Sequence, residues 1–262
     1  MQDRKPVALI TGASAGIGAA LAEVFADHGH ALVLAARRAP MLKTLADAIE
    51  TRGRARPHVI ALDLALPDAT SRIEDELREA GEEPQFVVNN AGFGLLGPAA
   101  DLDRKQQLAM IDLNVRVLTD LSLRFVDSLA RHKGGILNVA SIASFMPGPG
   151  MAIYHATKAY VLSLSEALRS ELGAQGIHVT ALCPGPVETE FMTRAGIPDG
   201  YFPRFLARTA DRVARDGYDG LMRNRRIVVP GSDNKVTAML PRFLPRGAVL
   251  ALFRAMQSRK MP

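Results

Sequence analysis

Hydrophobic and polar positions follow two different periods along this chain of 262 residues. Short aliphatic runs, typical of buried strands, alternate with stretches in which apolar residues recur every three to four positions, as on one face of a helix. The predicted strands are 6–10, 31–35, 59–62, 86–88, 136–139, 179–182 and 227–229. The main predicted helices are 17–29, 41–49, 73–81, 102–129 and 154–172. Apolar strands separated by helices predict an α/β fold, with a parallel sheet covered by helices on both faces.

No linker or repeat divides the chain, so the sequence predicts one domain over residues 1–262. Hydrophobic residues make up 48% and charged residues 23%, as is usual for a globular protein. The single cysteine, Cys183, excludes an intramolecular disulfide. The N-terminal residues show no secretory pattern, and no apolar run reaches the roughly 18 residues of a membrane span. A cytoplasmic location is expected.

The net charge of +5 raises the question of a nucleic-acid partner. The basic residues are scattered, aromatic residues are only 5% and Trp is absent, so a platform for stacking bases is poorly supported. We therefore expect no nucleic acid, and some of the charge is better explained by a phosphate-bearing cofactor. The six histidines show no metal-ligand spacing, so no metal is predicted.

In parallel sheets of this kind ligands bind beyond the carboxyl ends of the strands, so the loops after the strands are informative. The first loop, residues 11–18, contains Gly12, Gly16 and Gly18 and leads into a helix. Glycines allow a tight turn and close approach to a pyrophosphate, and the helix N-terminus offers free N–H groups to it. The spacing G-x-x-x-G-x-G departs from the commoner G-x-G-x-x-G, and a simple turn is the alternative.

The second predicted strand is followed by Ala36, Arg37 and Arg38. An acid near this position binds the ribose hydroxyls of NAD, whereas an arginine accommodates the additional phosphate of NADP. Since the acid is missing and guanidinium groups hold phosphate through paired hydrogen bonds, NADP(H) is the expected cofactor. Solvated charges at a strand end are the alternative.

Three further loops contain residues suited to turns against a ligand. Asp63 and Leu64 follow the third strand, the run 89–92 reads Asn-Asn-Ala-Gly after the fourth, and the run 184–189 reads Pro-Gly-Pro-Val-Glu-Thr after the sixth. Each has a turn or capping explanation when taken alone.

Tyr154 and Lys158 stand four residues apart, and Ser141 follows the fifth strand. On a helix, residues at this spacing share one face, so an ammonium would lie close to a phenol. A nearby cation draws the phenol pKa down from about 10 and allows the tyrosine to exchange a proton with a reacting oxygen. A surface Tyr and Lys on a helix is the alternative.

Taken together, these motifs resemble the short-chain dehydrogenase/reductase family over about residues 5–232. The resemblance implies a Rossmann-like, doubly wound sheet of about seven strands and an NAD(P)-dependent carbonyl/alcohol oxidoreductase. It implies Tyr154 as proton donor, Ser141 as the residue that orients the substrate oxygen, Lys158 on the nicotinamide ribose and Asn114 as the holder of a water relaying protons to Lys158. The expected cofactor-binding residues are Gly12, Ser14, Gly16, Ile17, Gly18, Arg37, Arg38, Asp63, Leu64, Asn90, Ala91, Gly92, Tyr154, Lys158, Pro184, Gly185, Val187 and Thr189.

Within the family, the chain is similar to a branch related to long-chain oxoacyl and hydroxysteroid reductases, notably at Phe93, Gly94 and residues 146–149. A homo-oligomer that reduces a small hydrophobic ketone, aldehyde or oxoacyl group with NADPH is therefore expected. A regulatory or partner protein that binds NADP(H) without turnover remains an alternative, as does a lyase or epimerase on the same fold.

Two segments lie outside these motifs. Residues 190–225 are predicted to form a substrate lid, because the apolar residues 191–206 are broken by Pro198, Gly200 and Pro203; packing of this stretch as fixed core is the alternative. Residues 232–262 form an extension with apolar residues and, from Lys235 onward, no acid. It is predicted to contact a membrane surface or another subunit, and folding back to complete the substrate pocket is the alternative.

Overall fold

The computed structural model describes residues 4–245, 247–248 and 250–251 and contains one parallel sheet of seven strands. The strand order is β3-β2-β1-β4-β5-β6-β7, and every predicted strand is present, within two residues of its predicted start except β4, which begins four residues earlier. The strands are β1 (Lys5–Thr11), β2 (Leu32–Ala36), β3 (His58–Ala61), β4 (Glu82–Asn89), β5 (Gly135–Val139), β6 (His178–Leu182) and β7 (Ile227–Val228). The predicted Rossmann-like doubly wound fold is confirmed.

Ten helices are described around this sheet. They are α1 (Gly16–Asp27), α2 (Ala39–Thr51), α3 (Ala69–Glu79), α4 (Arg104–Ile111), α5 (Leu118–Arg124), α6 (Val126–Arg131), α7 (Ala152–Leu172), α8 (Glu190–Arg194), α9 (Ala210–Met222) and α10 (Ser232–Met239). None of these described helices is both long and apolar enough to cross a membrane.

The strands are apolar because both faces of the sheet are buried. Along β1, Ala8 and Ile10 face a core shared with α1, α2 and α9, whereas Val7 and Leu9 face a second core shared with α3, α5, α6 and α7. This alternation follows from the two-residue period of a strand. Helices therefore cover both faces, as the sequence predicts.

The sheet order reverses between β1 and β4. From β1 the chain proceeds to β2 and β3 on one side, and from β4 it proceeds to β5, β6 and β7 on the other. The loops that follow β1 and β4 therefore diverge and leave a crevice between them, which is where ligands bind in open α/β sheets.

The predicted long helix over residues 102–129 is interrupted. A π-helical segment, Asp112–Val117, separates α4 from α5, and Phe125 separates α5 from α6. Such segments often occur at functional sites. Sequence periodicity did not reveal the interruption because the apolar residues continue through it.

Two predicted segments differ in extent from the structure. The lid was predicted to reach residue 225, but residues 210–222 form α9, in which Val213 and Leu221 are fully buried in the core with α1. We therefore use "lid segment" for residues 190–209 only. Of the extension, the structure describes α10 and the residues up to 251 other than 246 and 249; the rest of the predicted contact segment lies outside the described residues.

Candidate active site and cofactor crevice

A cavity of about 940 Å³ lies across the carboxyl ends of the strands. It brings together nearly all the residues predicted from sequence, and the exceptions are Gly18 and Asn114, which do not line it. The predicted residues that line it are Gly12, Ser14, Gly16, Ile17, Arg37, Arg38, Asp63, Leu64, Asn90, Ala91, Gly92, Ser141, Tyr154, Lys158, Pro184, Gly185, Val187 and Thr189.

Gly18 serves the packing of the loop rather than its ligand surface. A Cβ atom added at Gly18 would lie 2.3 Å from the carbonyl oxygen of Gly12 and 2.4 Å from Nδ2 of Asn90. Both distances are far below van der Waals contact, so only glycine allows α1 to begin this close to the loop after β1. Gly18 does not line the cavity, and its predicted contact with the cofactor remains a prediction.

Thr11 joins the loops after β1 and β4, a role that the sequence did not single out. Its buried hydroxyl donates to the carbonyl of Val88, 3.2 Å away, and accepts from the backbone N–H groups of Asn90 at 3.0 Å and Ala91 at 3.1 Å. Asn90 in turn donates from Nδ2 to the carbonyl of Thr11 over 2.9 Å. These bonds hold the two walls of the crevice together.

The end of β2 forms a cationic edge of the cavity. Arg38 donates from Nε to the Ser14 hydroxyl over 3.2 Å and forms an ion pair of 2.7 Å with Glu190 of α8. Arg37 lies 3.9 Å from Asp63, and both side chains are about half exposed. Guanidinium groups and a hydroxyl at this position suit the additional phosphate of NADP.

Tyr154 and Lys158 lie one turn apart near the start of α7 and face the cavity. Lys158 is buried and donates from Nζ to the carbonyl of Val139 over 2.7 Å. Ser141 accepts from the N–H of Ala143 at 3.1 Å, and its hydroxyl lies near enough to Tyr154 to act on the pKa of the phenol. The three predicted reactive side chains therefore converge.

Burial dominates the proton affinities of this group. It raises the pKa of Tyr154 to about 12, although the hydrogen bond from Ser141 acts in the opposite direction. Burial also lowers the pKa of Lys158 to about 8. The expectation that Lys158 draws the Tyr154 pKa down is not met in this structure, because desolvation of the phenolate outweighs other influences. Tyr154 thus holds its proton at neutral pH, as a proton donor requires.

Asn114 lies beneath the site, within the π-helical segment. Its Oδ1 accepts from the N–H of Phe93 at 3.1 Å, and its Nδ2 donates to the carbonyl of Phe93 at 3.0 Å and the hydroxyl of Thr157 at 3.2 Å. The side chain thereby fastens the loop after β4 to α7. A Cβ at Gly92 would lie 2.8 Å from Oδ1 of Asn114. Asn114 is a positioning residue here, and the predicted water relay remains a prediction.

The other half of the cavity is apolar. The lid segment packs an apolar cluster around Tyr154, whose ring centroid lies 5.5 Å from that of Phe191. The cluster consists of Leu96, Met151, Tyr154, Phe191, Met192, Ala195, Ile197, Tyr201 and Phe202. The site thus joins a polar, cationic half to an apolar half at the Tyr154 hydroxyl.

Asn234 of α10 connects the C-terminal extension with the cavity, and no sequence signal identified it. Its buried side chain donates from Nδ2 to the carbonyls of Pro230 at 2.9 Å and of Leu206 in the lid segment at 3.1 Å. Thr237, one turn later, lines the cavity. The first turns of the extension therefore help to close the pocket, as one of the two interpretations of this segment expected.

Comparison with known proteins settles the family. A model of the short chain dehydrogenase family matches residues 6–197, which include the glycine loop, Ser141, Tyr154 and Lys158. The chain belongs to the short-chain dehydrogenase family. The predicted class of NAD(P)-dependent oxidoreductase is thereby confirmed. The matched range ends inside the lid segment, so the family match says little about the substrate.

Relatives of this short-chain dehydrogenase match most of its length but are named for different substrates or activities. Sulfoacetaldehyde reductase 2 of Chromohalobacter salexigens is 39% identical over 194 residues, which are 72% of this chain and 76% of the relative. A short-chain dehydrogenase of Sphingobium yanoikuyae solved with NADPH is 34% identical, with a TM-score of 0.78. The match covers 98% of this chain and 96% of the Sphingobium yanoikuyae chain. A bulky-bulky ketone specific alcohol dehydrogenase of Comamonas testosteroni is 29% identical, with a TM-score of 0.75. The match covers 99% of this chain and 96% of the Comamonas testosteroni chain.

Proposed function

We propose that this protein reduces a hydrophobic ketone, aldehyde or oxoacyl group to the alcohol with NADPH. The observation that carries the proposal is the position of Tyr154, which lines the same cavity as Ser141 and Lys158 and belongs to the apolar cluster. A carbonyl oxygen at this point would meet a proton donor, and its substituents would meet apolar side chains.

The residues of the crevice fit NADP. The glycine loop and the start of α1 suit a pyrophosphate, and Ser14, Arg37 and Arg38 suit the 2′-phosphate. Phosphate there would take over the hydrogen bonds that Ser14 and Arg38 now share. The Sphingobium yanoikuyae relative, solved with NADPH, supports this choice.

The chain's own side chains would act as follows. The cofactor supplies the hydride. Tyr154, whose pKa lies well above neutral, donates its proton to the carbonyl oxygen as negative charge develops there. Ser141 donates a hydrogen bond to the same oxygen and orients it. Lys158, held by the Val139 carbonyl, offers its remaining protons to the ribose hydroxyls and to the phenolate that forms.

The surroundings of Tyr154 favour a hydrophobic substrate over a small anionic one. Its neighbours in the apolar cluster carry no charge, so a sulfonate or carboxylate placed among them would lose its hydration; the cations Lys158 and Arg194, which line the same cavity, lie outside that cluster. The Comamonas testosteroni relative, named for bulky ketones, supports this reading more closely than the sulfoacetaldehyde reductase does.

The test is consumption of NADPH by the purified protein with a panel of medium- and long-chain oxoacyl thioesters, aryl ketones, steroids and sulfoacetaldehyde. Turnover that is fastest with the hydrophobic compounds supports the proposal. Turnover restricted to sulfoacetaldehyde or to hydroxy acids would contradict the substrate class, and NADPH binding without turnover would favour the regulatory alternative.

We also propose that the protein is a cytoplasmic homo-oligomer. Leu108 of α4, Leu123 of α5 and Tyr160 of α7 are large apolar or aromatic side chains that remain 40 to 53% exposed. The Tyr160 hydroxyl lies 3.0 Å from that of Thr119, so α5 and α7 present a joint surface that a second copy could cover. Sedimentation of Leu108→Ser with Leu123→Ser against the native protein tests this; an unchanged mass would contradict it.

We also propose a peripheral membrane or intersubunit contact for the face of the extension that remains exposed. Val236, Met239, Leu240 and Phe243 lie at helical spacing and are 46 to 74% exposed. Val236→Ser with Phe243→Ser should weaken vesicle flotation or self-association and leave Asn234 in place. If both assays are unaffected, the extension serves only to close the pocket.

A further inference from the structure

Arg194, the last residue of α8, lines the strand-end crevice and has no anionic partner among the described residues. It stands four residues after Glu190, a spacing at which the two side chains could pair along one helix face. Glu190 pairs with Arg38 instead, at 2.7 Å. The guanidinium of Arg194 lies over the ring of Phe93, with its central carbon 5.1 Å from the ring centroid.

This contact brings a cation of the lid segment to the loop after β4, which forms one wall of the crevice. Arg194 belongs to the lid segment, which follows β6, whereas Phe93 belongs to the loop that follows β4. The side chain therefore lies against the β4 wall and lines the cavity, where a bound ligand would meet its guanidinium.

The start of α8 lies at the end of β2, because Glu190 pairs with Arg38, and the charges that act on Arg194 agree with that position. Burial lowers its pKa most, repulsion by Arg37 and Arg38 lowers it further, and only Asp63 acts in the opposite direction. These three residues follow β2 and β3, where the adenosine half of a dinucleotide is expected. The guanidinium groups of Arg37 and Arg38 each have a carboxylate within 4 Å, whereas that of Arg194 has none among the described residues.

Such a cluster is a site for a polyvalent anion. Three neighbouring guanidinium groups repel one another, and a group of charge near −2 among them would offset that repulsion and accept paired hydrogen bonds from each. We propose that Arg194 binds the 2′-phosphate of NADP from the lid side, and so makes the lid segment part of the selection of NADP over NAD. The inference rests on the proposed use of NADP.

The two other anions that could meet Arg194 fit less well. The pyrophosphate is expected at the glycine loop and the start of α1, whereas Glu190, one turn before Arg194, contacts Arg38 after β2. An anionic substrate would react at Tyr154, around which the side chains of the apolar cluster are uncharged; nucleotide binding measured without substrate separates this alternative from the cofactor.

The experiment measures dissociation constants for NADPH and NADH by titration calorimetry, without substrate. Arg194→Gln should weaken NADPH binding about tenfold, as expected for one charge-assisted contact, and should change NADH binding less than about twofold. Arg194→Lys keeps the charge and should lie between the native protein and Arg194→Gln. Arg204→Gln removes the same charge from another exposed lid residue that does not line the cavity, and should leave both constants unchanged.

Several results would overturn the inference. Equal weakening of NADPH and NADH by Arg194→Gln would assign the residue to the pyrophosphate or to the shape of the lid, and unchanged binding of both would remove it from the cofactor site. A native protein that binds neither nucleotide would refute the proposed function itself. This result differs from those that would refute only the role of Arg194, so the two failures can be told apart.

Discussion

The Nζ atom of Lys158 lies 5.8 Å from the centroid of the Tyr154 ring and donates to the carbonyl of Val139 over 2.7 Å. The ammonium is thus anchored to the sheet rather than directed solely at the phenol. Burial raises the pKa of Tyr154 to about 12 and lowers that of Lys158 to about 8. The two residues therefore have distinct roles, in which Tyr154 retains a proton and Lys158 supplies a positive charge.

Replacement of Tyr154 by Phe should abolish most turnover. The ring would still pack against Phe191, so fold and NADPH affinity should be retained, while loss of a proton donor typically reduces the rate about 10²- to 10⁴-fold. Steady-state rates and NADPH titration measure the two effects. Tyr160→Phe, which changes an exposed tyrosine on the same helix, is the matched control. A Tyr154→Phe protein with nearly native kcat would remove Tyr154 from the mechanism.

The pH profile should report Lys158. Its pKa is lowered to about 8, so the ammonium is present below that pH and is lost as the pH rises through it. We expect kcat/KM for NADPH, which reflects the free enzyme, to fall above about pH 8. Lys158→Arg keeps its charge at all these pH values and should abolish the decline. A native profile that remains flat well above pH 8 would contradict the assignment.

Cofactor preference should follow the residues after β2. Ala36→Asp with Arg37→Leu introduces the carboxylate that binds ribose hydroxyls and removes one phosphate-binding cation, so the preference for NADPH over NADH should reverse. The ratio of kcat/KM for the two cofactors measures it. Equal values for both cofactors in the native protein would show that Arg37 and Arg38 do not select NADP.

Glu190 should oppose the binding of NADP. Its carboxylate lies 2.7 Å from Arg38 and would compete with a 2′-phosphate for the same guanidinium. Glu190→Gln should therefore tighten NADPH binding by roughly threefold to tenfold and leave NADH binding unchanged. Glu188→Gln, at a nearby position that does not line the cavity, is the control for net charge. Weaker NADPH binding by Glu190→Gln would mean that the ion pair holds the site in shape.

The fold could be read from the sequence because each strand is apolar and each is followed by a helical period, and the crevice could be placed because its loops follow β1, β2 and β4. The roles of Gly18 and Asn114 could not be predicted in the same way. The spacing of glycines does not distinguish a packing role from contact with a ligand. The hydrogen bond between Asn114 and the backbone of Phe93 joins residues 21 apart and gives no periodic pattern in the sequence. Arg194 and Asn234 act through contacts distant in sequence, which charge and periodicity do not record.

The apolar cluster should determine substrate size. Phe191 lies against Tyr154, so Phe191→Ala should enlarge the site and remove packing for aryl or acyl groups. We expect kcat/KM for hydrophobic ketones to fall about tenfold or more, while that for a small aldehyde changes little. Phe205→Ala, at an exposed lid residue that does not line the cavity, should have no effect. Equal losses for large and small substrates would indicate that Phe191 merely supports the lid.

The central claim is that this chain transfers hydride to a hydrophobic carbonyl, with Tyr154 as the proton donor. The most direct measurement incubates the native protein with a long-chain or aryl ketone and NADPH deuterated at the transferring position of the nicotinamide, and analyses the product by mass spectrometry. The account predicts an alcohol with a single deuterium on the former carbonyl carbon, and a much reduced yield with Tyr154→Phe. Tight NADPH binding without any deuterated alcohol across the panel would contradict it.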